Sequence, residues 1–247
     1  MKYEIRNMKY EINKIGIYHT NTEMSSHHFS SESLIQSCPL PISMISHKGR
    51  EQSSLTISAA KIEPLSALLK RNKTHLEYQD TERLIDCIGR QLQLLERENK
   101  GISSFNIDDI TVFHDGGDDG DATMYFAITN DDKIHDINED NELDINAPYP
   151  KEYTDTATAS TKNKAFHSPE FKEFISKKTL PYNLHFKSGY YSFGLLCMYC
   201  YVSRTPPAAA AANDYEATLA PIINTKIYWF LKQVLQENPI ERRYICV

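Results

Sequence analysis

The clearest pattern in the chain is a helical repeat of apolar residues over residues 80–100. The repeat is carried by four residues: Leu84, Ile88, Leu92 and Leu95. Apolar residues at this spacing form a stripe along one face of a helix, and that face packs against a core. We therefore expect one long amphipathic helix here, with Gly101 as the left-handed residue that ends it.

A second segment, residues 189–202, is apolar on every side and contains no charged residue. Polar residues Lys187 and Ser188 come directly before it. A helix that is apolar all round must be buried all round. The sequence therefore predicts that this segment is the central helix of a mainly helical domain.

Weaker patterns predict the remaining elements. Short helices are expected at 31–37, 64–70 and 170–177, and a longer one at 217–236 with Ile223 and Ile227 on its apolar side. Strands are expected within 1–18, at 43–46 and 54–58 as a pair, and at 110–113 and 123–128. Residues 129–165 are polar, and we expect a long, partly disordered surface segment there.

Composition and charge indicate which partners and which cellular compartment to expect. The chain has 247 residues and a net charge of −6, from 27 basic and 33 acidic residues, so no basic face for nucleic acid is expected. No apolar run reaches the about 20 residues that a membrane span needs, and the first residues do not resemble a signal peptide. Five cysteines are few and odd in number, which favours reduced thiols in an intracellular, cytoplasmic protein.

Three separated motifs then occur in a fixed order. Phe166-His167-Ser168-Pro169-Glu170 comes first, Tyr191-Ser192-Phe193-Gly194 lies in the apolar segment, and Leu235-Gln236-Glu237-Asn238-Pro239-Ile240-Glu241-Arg242 comes last. They resemble, in the same order, the A-P-E motif, the central buried helix and the C-terminal Asp-Pro…Arg pattern of protein kinases. The spacing and sequence of the motifs are similar to those of the divergent kinase-like proteins of large DNA viruses.

This resemblance implies a fold and one structural contact. The fold would be α+β and protein-kinase-like, with a reduced N-terminal β lobe at 1–70 and a mainly α-helical C-terminal lobe at 71–247. In the family, the glutamate of the first motif and the late arginine form a buried ion pair, which here would join Glu170 to Arg242. A bidentate guanidinium–carboxylate pair tolerates burial better than a single charge does.

The catalytic parts of a kinase are mostly missing from the sequence. No G-x-G-x-x-G loop occurs, and Lys14 is only a weak candidate for the strand lysine. Aligning Asp109-Ile110-Thr111-Val112 with the end of the catalytic loop puts Ser104 at the position of the base aspartate. Asp109 and Asp136 remain as candidate catalytic and Mg²⁺-binding residues, with Asp136 at the D-F-G position.

These observations leave two main hypotheses. The first is a pseudokinase that needs no cofactor and acts as a protein-binding or regulatory scaffold. The alternative is a divergent serine/threonine kinase that transfers phosphate from ATP, with Asp109 and Asp136 holding Mg²⁺. A helical structural protein without a nucleotide site is a third possibility. Cys197 and Cys200, one helical turn apart, are expected to be core residues rather than a metal or redox site.

Overall fold

A computed structural model of the protein describes residues 16–19, 31–41, 44–48, 54–72, 75–116, 123–146, 165–177, 179–202 and 215–244. Several sequence predictions lie outside these residues. They concern the strands within residues 1–15, Lys14, the acidic loop at 117–121, residues 147–164 and the alanine run at 208–212.

The described residues form a mixed α+β structure, as predicted. Its helices are α1 (Ser31–Ser37), α2 (Leu65–Arg71), α3 (Tyr78–Arg97), α4 (Pro169–Lys177), α5 (Ser188–Tyr201), α6 (Glu216–Leu219) and α7 (Lys226–Val234). Short 3₁₀ helices occupy Ile107–Asp109, Ala220–Ile222 and Pro239–Glu241. Its strands are β1 (Gly16–His19), β2 (Ile45–Lys48), β3 (Ser54–Ala59), β4 (Lys61–Pro64), β5 (Lys100–Ile102), β6 (Phe105–Asn106), β7 (Ile110–His114), β8 (Met124–Ile128), β9 (Ile134–Asp136), β10 (Glu142–Ile145), β11 (Ala165–Phe166) and β12 (Tyr182–His185).

The strands pair in small antiparallel sheets. Among the described strands, two sheets have three strands each, in the orders β1-β3-β2 and β4-β7-β8. Three two-stranded pairs, β5 with β9, β6 with β11 and β10 with β12, connect segments that are distant in sequence. Strand β4, before the expected lobe boundary at residue 70, is hydrogen-bonded to β7, which lies after it.

Helix α5 lies at the centre of the core, as its apolar sequence predicts. Every residue from Ser188 to Cys200 is buried. The buried face of α3 packs into the same core through Leu84, Ile88, Leu92 and Leu95. Cys197 and Cys200 are fully buried unbonded thiols, and burial raises the pKa of both. The two cysteines are core residues, as expected.

The end of α3 differs from the prediction. The left-handed residue is Asn99, with φ 52°, and Gly101 lies inside strand β5 instead. A Cβ on Gly101 would be 2.9 Å from the Leu143 side chain, so this glycine allows close packing rather than ending a helix.

Two other predictions were wrong in part. Residues 129–146 are not disordered, because β9 pairs with β5 and β10 pairs with β12. The single helix expected at 217–236 is broken into α6, a 3₁₀ turn and α7. Pro221 has no backbone N–H for a continuous helix, and Thr225 caps a new helix by accepting a hydrogen bond from the Tyr228 N–H at 3.1 Å. Ile223 is consequently 55% exposed rather than part of an apolar face.

Among the residues that the structure describes, none of the helices combines the length and apolar character that crossing a membrane requires.

Candidate functional site

Two serines of α5 hold the loop between β5 and β6. Ser188 Oγ donates to the Ser103 carbonyl at 2.9 Å. Ser192 Oγ accepts from the Phe105 N–H at 2.6 Å and donates to the Phe166 carbonyl on β11. The central helix therefore fixes the backbone on both sides of Ser104, the residue at the predicted position of a catalytic base.

The same hydroxyls also position the start of α4. Ser168 Oγ lies 2.6 Å from Ser188 Oγ and accepts from the Phe171 N–H at 3.1 Å. Since the Ser188 hydroxyl donates to Ser103, the Ser168 hydroxyl must donate to Ser188. Ser103, Ser188 and Ser168 thus form one directional chain of hydrogen bonds that ends on helix α4.

Glu170 and Arg242 form the bidentate pair that the resemblance implied. Arg242 Nη2 donates to Glu170 Oε2 at 2.9 Å, and Nη1 donates to Oε1. The remaining donors of the guanidinium bind three carbonyls, those of Gln236 (2.8 Å), Lys187 (3.2 Å) and Glu237 (2.9 Å). The side chain of Arg242 is fully buried and all five of its N–H groups have acceptors.

Asp109 is buried, and other groups of the chain donate to both oxygens of its carboxylate. Its Oδ2 is 2.5 Å from Lys133 Nζ and accepts from the Asn106 N–H at 2.6 Å. Its Oδ1 accepts from Asn130 Nδ2 at 2.9 Å. The Lys133 side chain is 2% exposed, and burial lowers its pKa while Asp109 opposes that shift. Both carboxylate oxygens of Asp109 are therefore occupied by donors, one of them a cation.

Asp136 has a different environment. It lies on β9 directly opposite Lys100, its side chain is 85% exposed, and Lys100 Nζ is 2.5 Å from its Oδ1. Asp109 and Asp136 therefore pair with different lysines, Lys133 and Lys100. Across the described ranges, no group of three or more His, Cys, Asp or Glu side chains is arranged to hold a metal ion.

Ser104 is buried, and its hydroxyl has no hydrogen-bond partner within the described part of the chain. A serine hydroxyl at this position does not accept a proton as a carboxylate does.

Lys133 and Asn130 are the residues that sequence reasoning missed. Both lie in the polar segment 129–165, where Lys133 follows two aspartates and has no apolar neighbours before it. That context is typical of a solvent-exposed lysine. No local pattern in the sequence marks its burial.

Comparison with known proteins gave no match, either to a protein-family model or to a curated protein.

Proposed function

We propose that this chain is a protein-kinase-like domain that has lost phosphoryl transfer, a pseudokinase, and that it acts by binding another protein. Support for the kinase-like fold comes from the contacts of α5. Its serines hold the loop at Ser104, and the Glu170–Arg242 pair joins α4 to the segment after α7. In this interpretation the framework of a large kinase lobe is retained around an altered site.

The main observation that supports a loss of catalysis is the ion pair between the ammonium group of Lys133 and the carboxylate of Asp109. A kinase needs acidic or amide oxygens there to hold Mg²⁺ against the phosphates of ATP. In this protein the amino group of Lys133 occupies that place, 2.5 Å from Asp109 Oδ2. Binding Mg²⁺ would require Lys133 to leave a site in which it is almost fully buried, at the cost of a buried unpaired charge.

The second supporting observation is the absence of a carboxylate at residue 104. Orientation and deprotonation of the acceptor hydroxyl are the main chemical tasks left to the protein in this reaction. Asp136 does not replace the missing group, because it is on the surface and paired with Lys100.

A protein-binding role fits the surface near α7. Ile223 and Trp229 are 55% and 49% exposed, and Trp229 has Lys232 Nζ 5.8 Å from its ring centroid. Tryptophan is enriched among the residues that dominate protein interfaces, and its ring attracts a nearby cation.

Nucleotide binding is the decisive test. The purified protein would be heated with and without ATP and Mg²⁺, beside an active protein kinase as positive control. A ligand at 100 times its dissociation constant stabilises a protein by about 2.7 kcal/mol, which is a readily measured rise in Tm. We expect no rise in Tm and no transfer of radiolabelled phosphate to the protein itself or to a generic substrate.

The alternative, an active kinase, makes the opposite prediction. Phosphate transfer by the wild-type protein that disappears in both Asp109→Ala and Asp136→Ala would replace the pseudokinase proposal with the enzyme. Lys172→Ala is the control, because Lys172 is an exposed residue of α4, a helix that contains neither aspartate.

A further inference from the structure

A cavity beside the start of α5 collects positive charge in an otherwise acidic protein. Its volume is about 290 Å³, and among the described residues its lining includes Lys187, Arg242 and Arg243 with one carboxylate, Glu96. The chain as a whole has a net charge of −6. The local excess of cations is therefore not a consequence of composition.

The three cations differ in how fully they are paired. Arg242 is neutralised by Glu170, and its donors are all used. Lys187 Nζ donates a long hydrogen bond of 3.4 Å to the Ile240 carbonyl. It also lies 5.8 Å from the centroid of the Phe186 ring. Arg243 is exposed and forms no ion pair with any residue in the described ranges. Within the described residues, two cations at this cavity thus have no carboxylate partner of their own.

The single carboxylate is already engaged. Glu96 accepts a hydrogen bond from the Tyr190 hydroxyl, which also lines the cavity. Burial lowers the pKa of Lys187, Glu96 opposes that shift, and the positive charges of Arg243 and Arg242 lower the pKa further. An anion between Lys187 and Arg243 would relieve this repulsion.

We propose that the cavity is a binding site for a phosphate monoester, held between the ammonium of Lys187 and the guanidinium of Arg243. Two cations outside any ion pair of the described residues match the charge of about −1.5 to −2 that a phosphate monoester carries at pH 7. Arginine binds phosphate oxygens through two parallel N–H groups, and lysine acts as a point charge beside it. The inference does not depend on the proposed pseudokinase function, because neither Asp109 nor Lys133 is part of this site.

Calorimetric titration of the full chain tests the proposal, with inorganic phosphate and with capped phosphoserine as separate probes. We expect saturable binding that weakens as salt is raised. Lys187→Met and Arg243→Gln should each weaken it by about tenfold or more, the factor expected for a lost hydrogen bond to a charged group. Tighter binding of phosphoserine than of inorganic phosphate would support a site for a phosphate monoester, and equal or tighter binding of inorganic phosphate would overturn it in favour of a site for the free anion.

Two matched variants control for the loss of charge. Lys172→Met and Arg97→Gln remove the same groups from exposed positions that do not line the cavity, and their affinities should stay within about twofold of wild type. Absence of saturation in the millimolar range, or equal weakening in these controls, would overturn the proposal. Arg243 is exposed, so its variant keeps the test valid if the Lys187 variant does not fold.

Discussion

At the scale of single residues, Arg242 combines complete burial with a positive charge and a full set of hydrogen bonds. It is fully buried, and its five donors hold one carboxylate and three carbonyls. Arg242→Ala leaves Glu170 without its partner and should cost about 3–5 kcal/mol of unfolding free energy. Urea denaturation would measure the loss, with Arg97→Ala as the exposed control. A cost below about 1 kcal/mol, the value of a surface pair, would contradict this assignment.

Lys133 gives a second prediction at this scale. Lys133→Met leaves the Asp109 carboxylate buried without its cation, so we expect a loss of about 3–5 kcal/mol. Adding Asp109→Leu should recover part of that loss, because two residues in contact are not additive.

The Lys100–Asp136 pair is the matched comparison, since it joins the same two residue types at the same 2.5 Å distance but with an aspartate that is 85% exposed. Lys100→Met should cost no more than about 1 kcal/mol. Equal costs for the two lysine variants would show that burial of the Asp109 pair has no energetic consequence.

At the scale of elements, two glycines set how closely α5 approaches its neighbours. A Cβ on Gly189 would collide with the Ile102 carbonyl oxygen, which is backbone, whereas a Cβ on Gly194 would lie 2.6 Å from Val234 Cγ2. Each substitution by alanine should cost about 1–3 kcal/mol or more through overpacking.

Only one of the two collisions can be relieved by a second change. Val234→Ala removes the atom that meets Gly194→Ala, so this double variant should be more stable than the sum of its parts. No such rescue is expected when Val234→Ala is combined with Gly189→Ala. Additive costs in both combinations, measured by urea denaturation, would exclude this packing account.

Elements whose pattern reflects burial were predictable from sequence, while local conformation and long-range pairing were not. The apolar run of α5 and the stripe of α3 placed both helices in the core because a chain with those faces has no other stable arrangement. Asn99, Pro221 and Thr225 end or restart helices through backbone conformation, which periodicity does not record. The candidate site depends on Lys133, whose burial follows from the pairing of β9 with β5, and no local signal reports such a pairing.

At the scale of the whole molecule, two half-buried histidines make the free energy of unfolding depend on pH. Burial lowers the pKa of His135, with Asp136 opposing the shift, and burial also lowers the pKa of His185. Their folded-state pKa values lie below the unfolded value of about 6.5, so the unfolded chain binds more protons below that pH. The unfolding free energy should therefore be fully present above about pH 6.5 and fall as the solution is acidified further.

Urea denaturation at pH 7.5, 6.5 and 5.5 checks this, with His135→Gln expected to flatten the slope. His75→Gln, at an exposed histidine, is the control and should leave the slope unchanged. A slope that is the same in wild type and His135→Gln would remove His135 from the explanation.

The serine contacts of α5 have a consequence for hydrogen exchange. The Phe105 N–H donates to the hydroxyl of Ser192, which lies 87 positions later in the chain. The same hydroxyl donates to the carbonyl of Phe166, 26 positions before Ser192. No local fluctuation of β6 can replace such a partner, so this amide becomes accessible to solvent only when the central helix detaches. It should exchange with deuterium at the rate set by global unfolding, and therefore report the stability of the entire helical core from one position in a two-residue strand.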